Sequence, residues 1–229
     1  MQRVELAALI PIKAFHQAKA RLAPSLDPDR RMRLARWSAG RVLAAAGAMR
    51  LFVVCDDEEV ATWADERGAS VLWQAGKGLD SAVDDAVTMI AALGCDHVVV
   101  AHADLPLPSP LHLVARPKTI TLVPDRRNDG TNVMSFPTLV GLHAAYGRGS
   151  FRRHLAAAIQ LAGTQLVSVE VRRDALLALD IDTPDDLRHP LVRPLVQPFV
   201  QPFVQPFIVE VLPTWQPTNQ ANLPSPTVG

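Results

Sequence analysis

DHVVVAHADLPLP, residues 96–108, is the stretch that decides the fold. His97 to Ala101 is a short apolar run that ends in an acid, Asp104, set among prolines. Such a run reads as a central strand of a parallel sheet, buried on both faces, delivering a carboxylate to the sheet's carboxyl edge. Ligands of open α/β sheets bind at that edge. Pro106, Pro108 and Pro110 stop the strand and stiffen the turn behind it. An acid so placed suits Mg²⁺, which takes one or two carboxylates and completes its shell with water and substrate phosphates. It equally suits a turn or a helix cap.

The rest of the chain supports an α/β reading. Its 229 residues can bury a full core. Lys plus Arg and Asp plus Glu are 23 each, so no net charge favours nucleic acid or an anionic membrane. Cys55 and Cys95 flank strand-like runs and read as small buried hydrophobes. No apolar run has the length of a membrane span, and no leader pattern opens the chain. A cytoplasmic protein is the expectation.

Residues 6–12 are a first buried strand, leading into a loop with three cations, Lys13, Lys19 and Arg21. Strand, basic loop, helix is a phosphate-cradling order, with side chains doing what a Gly-rich loop does elsewhere. A solvated basic loop is the alternative. Asp27-Pro28 predicts a helix start, with the helix running to about Ala46. Further strands are expected over 51–55 and 70–73, with a helix from Glu58 between them opened by Asp56 and Asp57. In the loop Gly76-Lys77-Gly78-Leu79-Asp80, Gly78 allows close approach to a ligand. Asp80 either caps the next helix or accepts from the N1 and N2 edge of guanine; Asp84 and Asp85 are expected to be solvated.

Strands are expected over 119–123 and 165–171, and a helix from Ser150 to about Leu161. The loop 124–135 ends in Gly130-Thr131-Asn132 and reads as an anion site or a hairpin turn. Gly147-Arg148-Gly149-Ser150 precedes the helix, whose N-terminus attracts a phosphate or carboxylate. Ser150 is its cap, a ligand hydroxyl, or both, and His154 reads as structural. Asp180-Ile181-Asp182-Thr183-Pro184 makes a second acid-bearing turn.

From Pro190 a proline recurs every fourth residue. That pattern excludes a regular helix or central strand, so 190–229 is expected to be a Pro-rich tail, extended or disordered, with the folded domain spanning 1–189. Its apolar content leaves room for packing on a partner or a second copy, as in a homodimer. The tail is expected to be dispensable for catalysis.

IPIKAFHQAKARLA, VVVAHADLPLP, DRRNDGTNVMSF, YGRGSFRRH and DIDTPDDL occur in this order over residues 4–188. Together they resemble the phosphoenolpyruvate / 2-phospho-L-lactate guanylyltransferase family of deazaflavin coenzyme biosynthesis. The resemblance implies a single Rossmann-like nucleotidyltransferase domain with a mixed, mostly parallel sheet flanked by helices. It implies GTP and a phosphorylated three-carbon acid as substrates, with Mg²⁺ on Asp104 and Asp182. Lys13, Lys19 and Arg21 would neutralise the triphosphate. Lys13, Gly78 and Asp80 would meet the nucleotide, and Thr131, Gly147 and Ser150 the phospho-acid. Where the family has Gly-Leu-Asn, this chain has Gly78-Leu79-Asp80. The acceptor is a phosphate monoester, largely a dianion at neutral pH with its second pKa near ~6, so it needs no general base. Two other readings remain open at this stage. One is a nucleotide-sugar glycosyltransferase of similar architecture; the other is a non-catalytic interaction protein working through its Pro/Phe tail.

Overall fold

In the computed structural model, which describes residues 4–200, seven strands form one sheet in the order β3-β2-β1-β4-β6-β5-β7. The strands are β1 Leu6–Pro11, β2 Arg50–Cys55, β3 Ser70–Trp73, β4 His97–Ala101, β5 Thr119–Pro124, β6 Thr131–Pro137 and β7 Ser168–Val171. All neighbours run parallel except β6, which is antiparallel to both β4 and β5. The expected mixed, mostly parallel sheet is what forms. The helices are α1 Pro28–Ala45, α2 Glu58–Asp65, α3 Leu79–Ala92, α4 Ser150–Thr164 and α5 Arg193–Val200.

Strand alternation sorts the core into two layers. Ala8 and Ile10 of β1 point to the face covered by α1 and α2. Ala7 and Leu9 point to the face covered by α3 and α4. β4 is buried at every position, as a central strand covered on both sides must be. β1 and β4 are adjacent, but the chain leaves β1 for β2 on one side and leaves β4 toward β6 on the other. This is the point of order reversal, where a crevice opens at the carboxyl ends.

Local signals set the helix starts at α1 and α2. Asp27 accepts from Arg30 N at 2.8 Å and Asp57 from Val60 N at 3.0 Å, each capping a helix three residues on. Asp80 differs from expectation. The N-cap of α3 is Gly78, and Asp80 instead accepts from the Tyr146 N–H at 2.8 Å. Asp84 is not left to solvent but binds Ala144 N and His143, while Asp85 pairs with Lys77 at the surface, its side chain 45% exposed.

The extended conformation expected from residue 190 does not hold through Val200. Arg193–Val200 is helical with Pro198 inside it, and Val192 and Val196 are fully buried. Pro198 removes the bond to the carbonyl four residues earlier, that of Pro194. Pro194 and Pro198 are exposed, so the lost bond costs less than it would in a buried helix, while Val192 and Val196 at the same spacing are buried. The folded part therefore continues past 189. The remainder of the expected tail, 201–229, lies outside the described residues.

Candidate active site at the carboxyl edge of β1 and β4

A cleft of about 530 Å³ opens at this edge, within the range of small-molecule sites. β1 and its loop bring Lys13, Phe15 and Lys19, and β2 brings Cys55 and Asp56. The 74–79 loop brings Lys77 and Gly78, and the end of β4 brings His102 and Asp104. Asp182 closes one end. Lys13, Lys19, Gly78, Asp104 and Asp182 thus share one cleft, as the sequence led us to expect. Arg21 stands at its rim, 2.5 Å from Asp182, with three-quarters of its side chain exposed.

Lys19 is committed to the protein. Its Nζ donates to Asp104 Oδ2 at 3.1 Å and to the Ile181 carbonyl at 2.5 Å, and its side chain is only 7% exposed. Burial pushes the Asp104 carboxyl up, but Lys19 and His102 outweigh it and hold its pKa below the usual carboxylate range. Asp180 goes the other way. Burial first, then the charges of Asp104 and Asp186, push it up to about 7. Sequence reading assigned Asp180 no role, because its nearness to Asp104 is a tertiary fact. One oxygen of Asp104 and one of Asp180 are buried without a hydrogen-bond partner, as is His102 Nε2. No group of three or more His, Cys, Asp or Glu spaced for a metal occurs among the described residues. Mg²⁺ does not demand one, and two carboxylates with unused oxygens are donors of the kind it takes.

Asp186 secures the acid turn from behind. Its carboxylate is 1% exposed and accepts from Arg126 and Arg127, and from Asp182 N, Thr183 N and Thr183 Oγ1. These bonds hold it ionised down to about 2, against the opposing effect of burial.

Thr131 and Ser150 come together, as expected, but behind the cleft. Thr131 N donates to Ser150 Oγ at 3.1 Å, and both residues are 2% exposed. Ser150 is the first residue of α4, and the N-cap is Gly149. His154 Nε2 accepts from Ala145 N at 2.8 Å, so its Nδ1 carries the proton and donates to Thr131 Oγ1 at 2.9 Å. Burial lowers the His154 pKa to about 4, which keeps the ring neutral and structural, as read. Each hydroxyl still has its own proton to donate. The start of α4, expected to take an external anion, is already engaged by Asp129. Its Oδ1 accepts from Gly149 N and its carbonyl from Phe151 N. Asp125 ties that loop together by accepting from the backbone of residues 127, 129 and 130. A Cβ at Gly130 would meet Asp125 Oδ2 at 2.9 Å, so a larger residue there displaces the carboxylate that ties the loop. Gly147 is left-handed, with φ of 93°. Between the cleft and this pair stands Tyr146, its ring 4.8 Å from His102 and 5.2 Å from His154. Asp80 is not among the residues lining the cleft; Asp56 is.

No helix among the described residues is long and apolar enough to cross a membrane. Comparison with known proteins agrees with the geometry. The family model described as "Guanylyl transferase CofC like" matches residues 6–193. The phosphoenolpyruvate guanylyltransferase of Sphaerobacter thermophilus is 35% identical over 189 residues, covering 79% of this chain and 89% of its own. The corresponding protein of Rubrobacter xylanophilus is 33% identical over 189 residues, with 79% and 90% covered. The 2-phospho-L-lactate guanylyltransferase of Methanocaldococcus infernus is 24% identical over 183 residues, with 78% and 81% covered. A solved structure of 4-diphosphocytidyl-2C-methyl-D-erythritol synthase from Anaerococcus prevotii superposes with a TM-score of 0.52 at 11% identity, covering 80% of this chain and 92% of that one. It shares the nucleotidyltransferase fold. With 188 consecutive residues matched, the chain belongs to the CofC-like guanylyltransferase family.

Proposed function

We propose that the chain transfers GMP from GTP to the phosphate of a three-carbon phospho-acid, phosphoenolpyruvate in the first place and 2-phospho-L-lactate as the second candidate. The names of the bacterial relatives favour the first acid. The observation that carries the reading is the meeting of Asp104 and Asp182 with Lys19 in a nucleotide-sized cleft.

In this reading an oxygen of the acceptor phosphate forms a bond to the α-phosphorus of GTP, the bond to the β-phosphate oxygen breaks, and pyrophosphate leaves. No side-chain base takes part, since the acceptor is already a dianion. The work is positioning and charge neutralisation. Asp104 and Asp182, both of which line the cleft, would hold Mg²⁺, which would neutralise the phosphate oxygens. Lys19 orients Asp104 and Asp182 is steadied by Arg21, which leaves the exposed Lys13 for the triphosphate. Gly78 lets the nucleoside approach the 74–79 loop. Asp56, in place of Asp80, is the cleft acid available to the guanine edge. Thr131 and Ser150 serve the acceptor side by fixing the Gly147–Gly149 loop and by the hydroxyl protons they keep.

The test is pyrophosphate release from GTP with phosphoenolpyruvate, 2-phospho-L-lactate and 3-phosphoglycerate in turn. Release that requires one of these acids is expected. Release with none of them, or consumption of a nucleotide sugar without pyrophosphate, would overturn the reading.

A further inference from the structure

The first units of the period-four proline repeat pack against the folded domain. Val192 and Val196 are 0% and 1% exposed and share an apolar cluster with Leu22, Leu34 and Ile181. Phe199 meets Trp37 of α1 with ring centroids 5.6 Å apart. This cluster is separate from the two that cover the sheet faces. It joins two segments that carry the chemistry. Residues 19–26 hold Lys19 and Arg21, and residues 179–187 hold Asp180 and Asp182. Neither segment contains an α-helix or a strand, so no ladder of backbone bonds fixes it.

Ile181 is the hinge pin of the arrangement. It lies between the two acids, and its side chain is fully buried in the cluster behind the site. Its N–H donates to the Asp104 carbonyl at 3.2 Å, and its own carbonyl accepts from Lys19 Nζ at 2.5 Å. Leu22 follows Arg21 by one residue and is also fully buried in the cluster. On the cleft side the two segments are joined by polar bonds from Lys19 and Arg21. On the far side they are joined by apolar contact closed off by α5. Contacts of this kind decide how rigid an irregular segment is.

We propose that α5 is a positioning element of the nucleotidyl-transfer site. Through Val196, together with Val192 in the turn just before the helix, it clamps Ile181, and with it Asp180 and Asp182, against the Lys19–Leu22 segment. The chemistry assigned to those acids rests on the proposed function; the clamp itself does not.

The experiment uses the full-length chain with Val196→Ala, Val196→Ile as the conservative control, and Phe199→Ala at the half-buried edge of the cluster. Amide hydrogen exchange is followed in residues 19–26 and 179–187, with β1 and β4 as internal references. The Mg²⁺ concentration giving half-maximal pyrophosphate release is measured alongside. A half-saturating concentration does not depend on what fraction of the protein is folded, so simple loss of folded protein does not move it. In Val196→Ala, exchange should quicken by about 10-fold in both segments together and stay unchanged in β1 and β4. Half-saturating Mg²⁺ should rise about fivefold, and Val196→Ile should restore both readouts to within about twofold. Faster exchange confined to 190–200, or an unchanged Mg²⁺ requirement in an active Val196→Ala protein, would overturn the proposal. Should Val196→Ala fail to fold, Phe199→Ala decides by the same two readouts. If the wild-type chain releases no pyrophosphate with any acid, the proposed function falls and the exchange pattern alone decides the clamp.

Discussion

Replacing Asp186 with Asn should loosen the acid turn by a calculable amount. One carboxylate oxygen takes Arg126 at 2.5 Å and Arg127 at 2.9 Å. The other takes Asp182 N at 3.0 Å, Thr183 N at 2.7 Å and Thr183 Oγ1 at 2.9 Å. Every partner is a donor in this arrangement. An amide has one carbonyl oxygen, so its NH₂ must face one of the two donor sets. If the oxygen stays with the turn, both guanidinium bonds are lost, at about 1.5–3 kcal/mol each. The Arg126 and Arg127 side chains are 33% and 42% exposed, so water recovers about half of that. The expected loss is roughly 2–3 kcal/mol. Linkage gives an independent check. A carboxyl moved from 3.8 to about 2 contributes roughly 2.5 kcal/mol. Because the folded pKa is depressed, that stability is present above pH 4 and is lost as pH falls toward 2. Urea unfolding in EDTA at pH 7 and pH 3 reads both numbers. The gap between wild type and Asp186→Asn should be near 2–3 kcal/mol at pH 7 and shrink at pH 3. A gap below about 0.5 kcal/mol at pH 7, or one that does not shrink in acid, would refute the reasoning.

Three further outcomes are expected. Asp104→Asn should lower pyrophosphate release by at least about 100-fold while leaving the thermal midpoint within a few degrees, read by enzyme assay and melting curve together. Thr131→Val leaves the buried His154 Nδ1–H without an acceptor and should cost about 1–3 kcal/mol in denaturant unfolding; together with Ser150→Ala it should raise KM for the phospho-acid more than for GTP. Burial lowers His97 to about 4, so the unfolded chain takes up a proton below pH 6.5 that the folded one refuses. Stability should therefore fall by about 2 kcal/mol between pH 7 and pH 5 on this account, and His97→Gln should remove that much of the pH dependence.

Much of this protein is legible in short-range signals. β4 is readable because a strand covered on both faces is apolar throughout, and Asp104 because it directly follows that strand. Asp27 and Asp57 are readable as caps because the N–H each one accepts from lies three residues away. Asp80 carries the same chemistry at a helix start, yet its partner is Tyr146 N, 66 residues on. Nothing local distinguishes the two cases. The same holds for Asp180, whose carboxyl is pushed up by burial and by the charge of Asp104, which only the fold brings near it. It holds also for Lys19, whose bonds to Asp104 and Ile181 reach partners 85 and 162 residues away.

The proline repeat makes the division plainest. Local chemistry says that proline at every fourth position cannot sit in a helix. Tertiary structure reverses that for Arg193–Val200 by putting the prolines on the solvent side, where a freed carbonyl costs little, and Val192 and Val196 in a cluster with Ile181 and Leu22. The sequence by itself determined the strands, the capped helices, the family and the acid at the carboxyl edge, because these depend on neighbours along the chain. Which carboxylates stay free, which are spent on the protein's own N–H groups, and what holds the acid turn in place were decided only by tertiary structure. Those outcomes depend on partners that local sequence does not show, such as Tyr146 N, 66 residues from Asp80, and Lys19, 162 residues from Ile181.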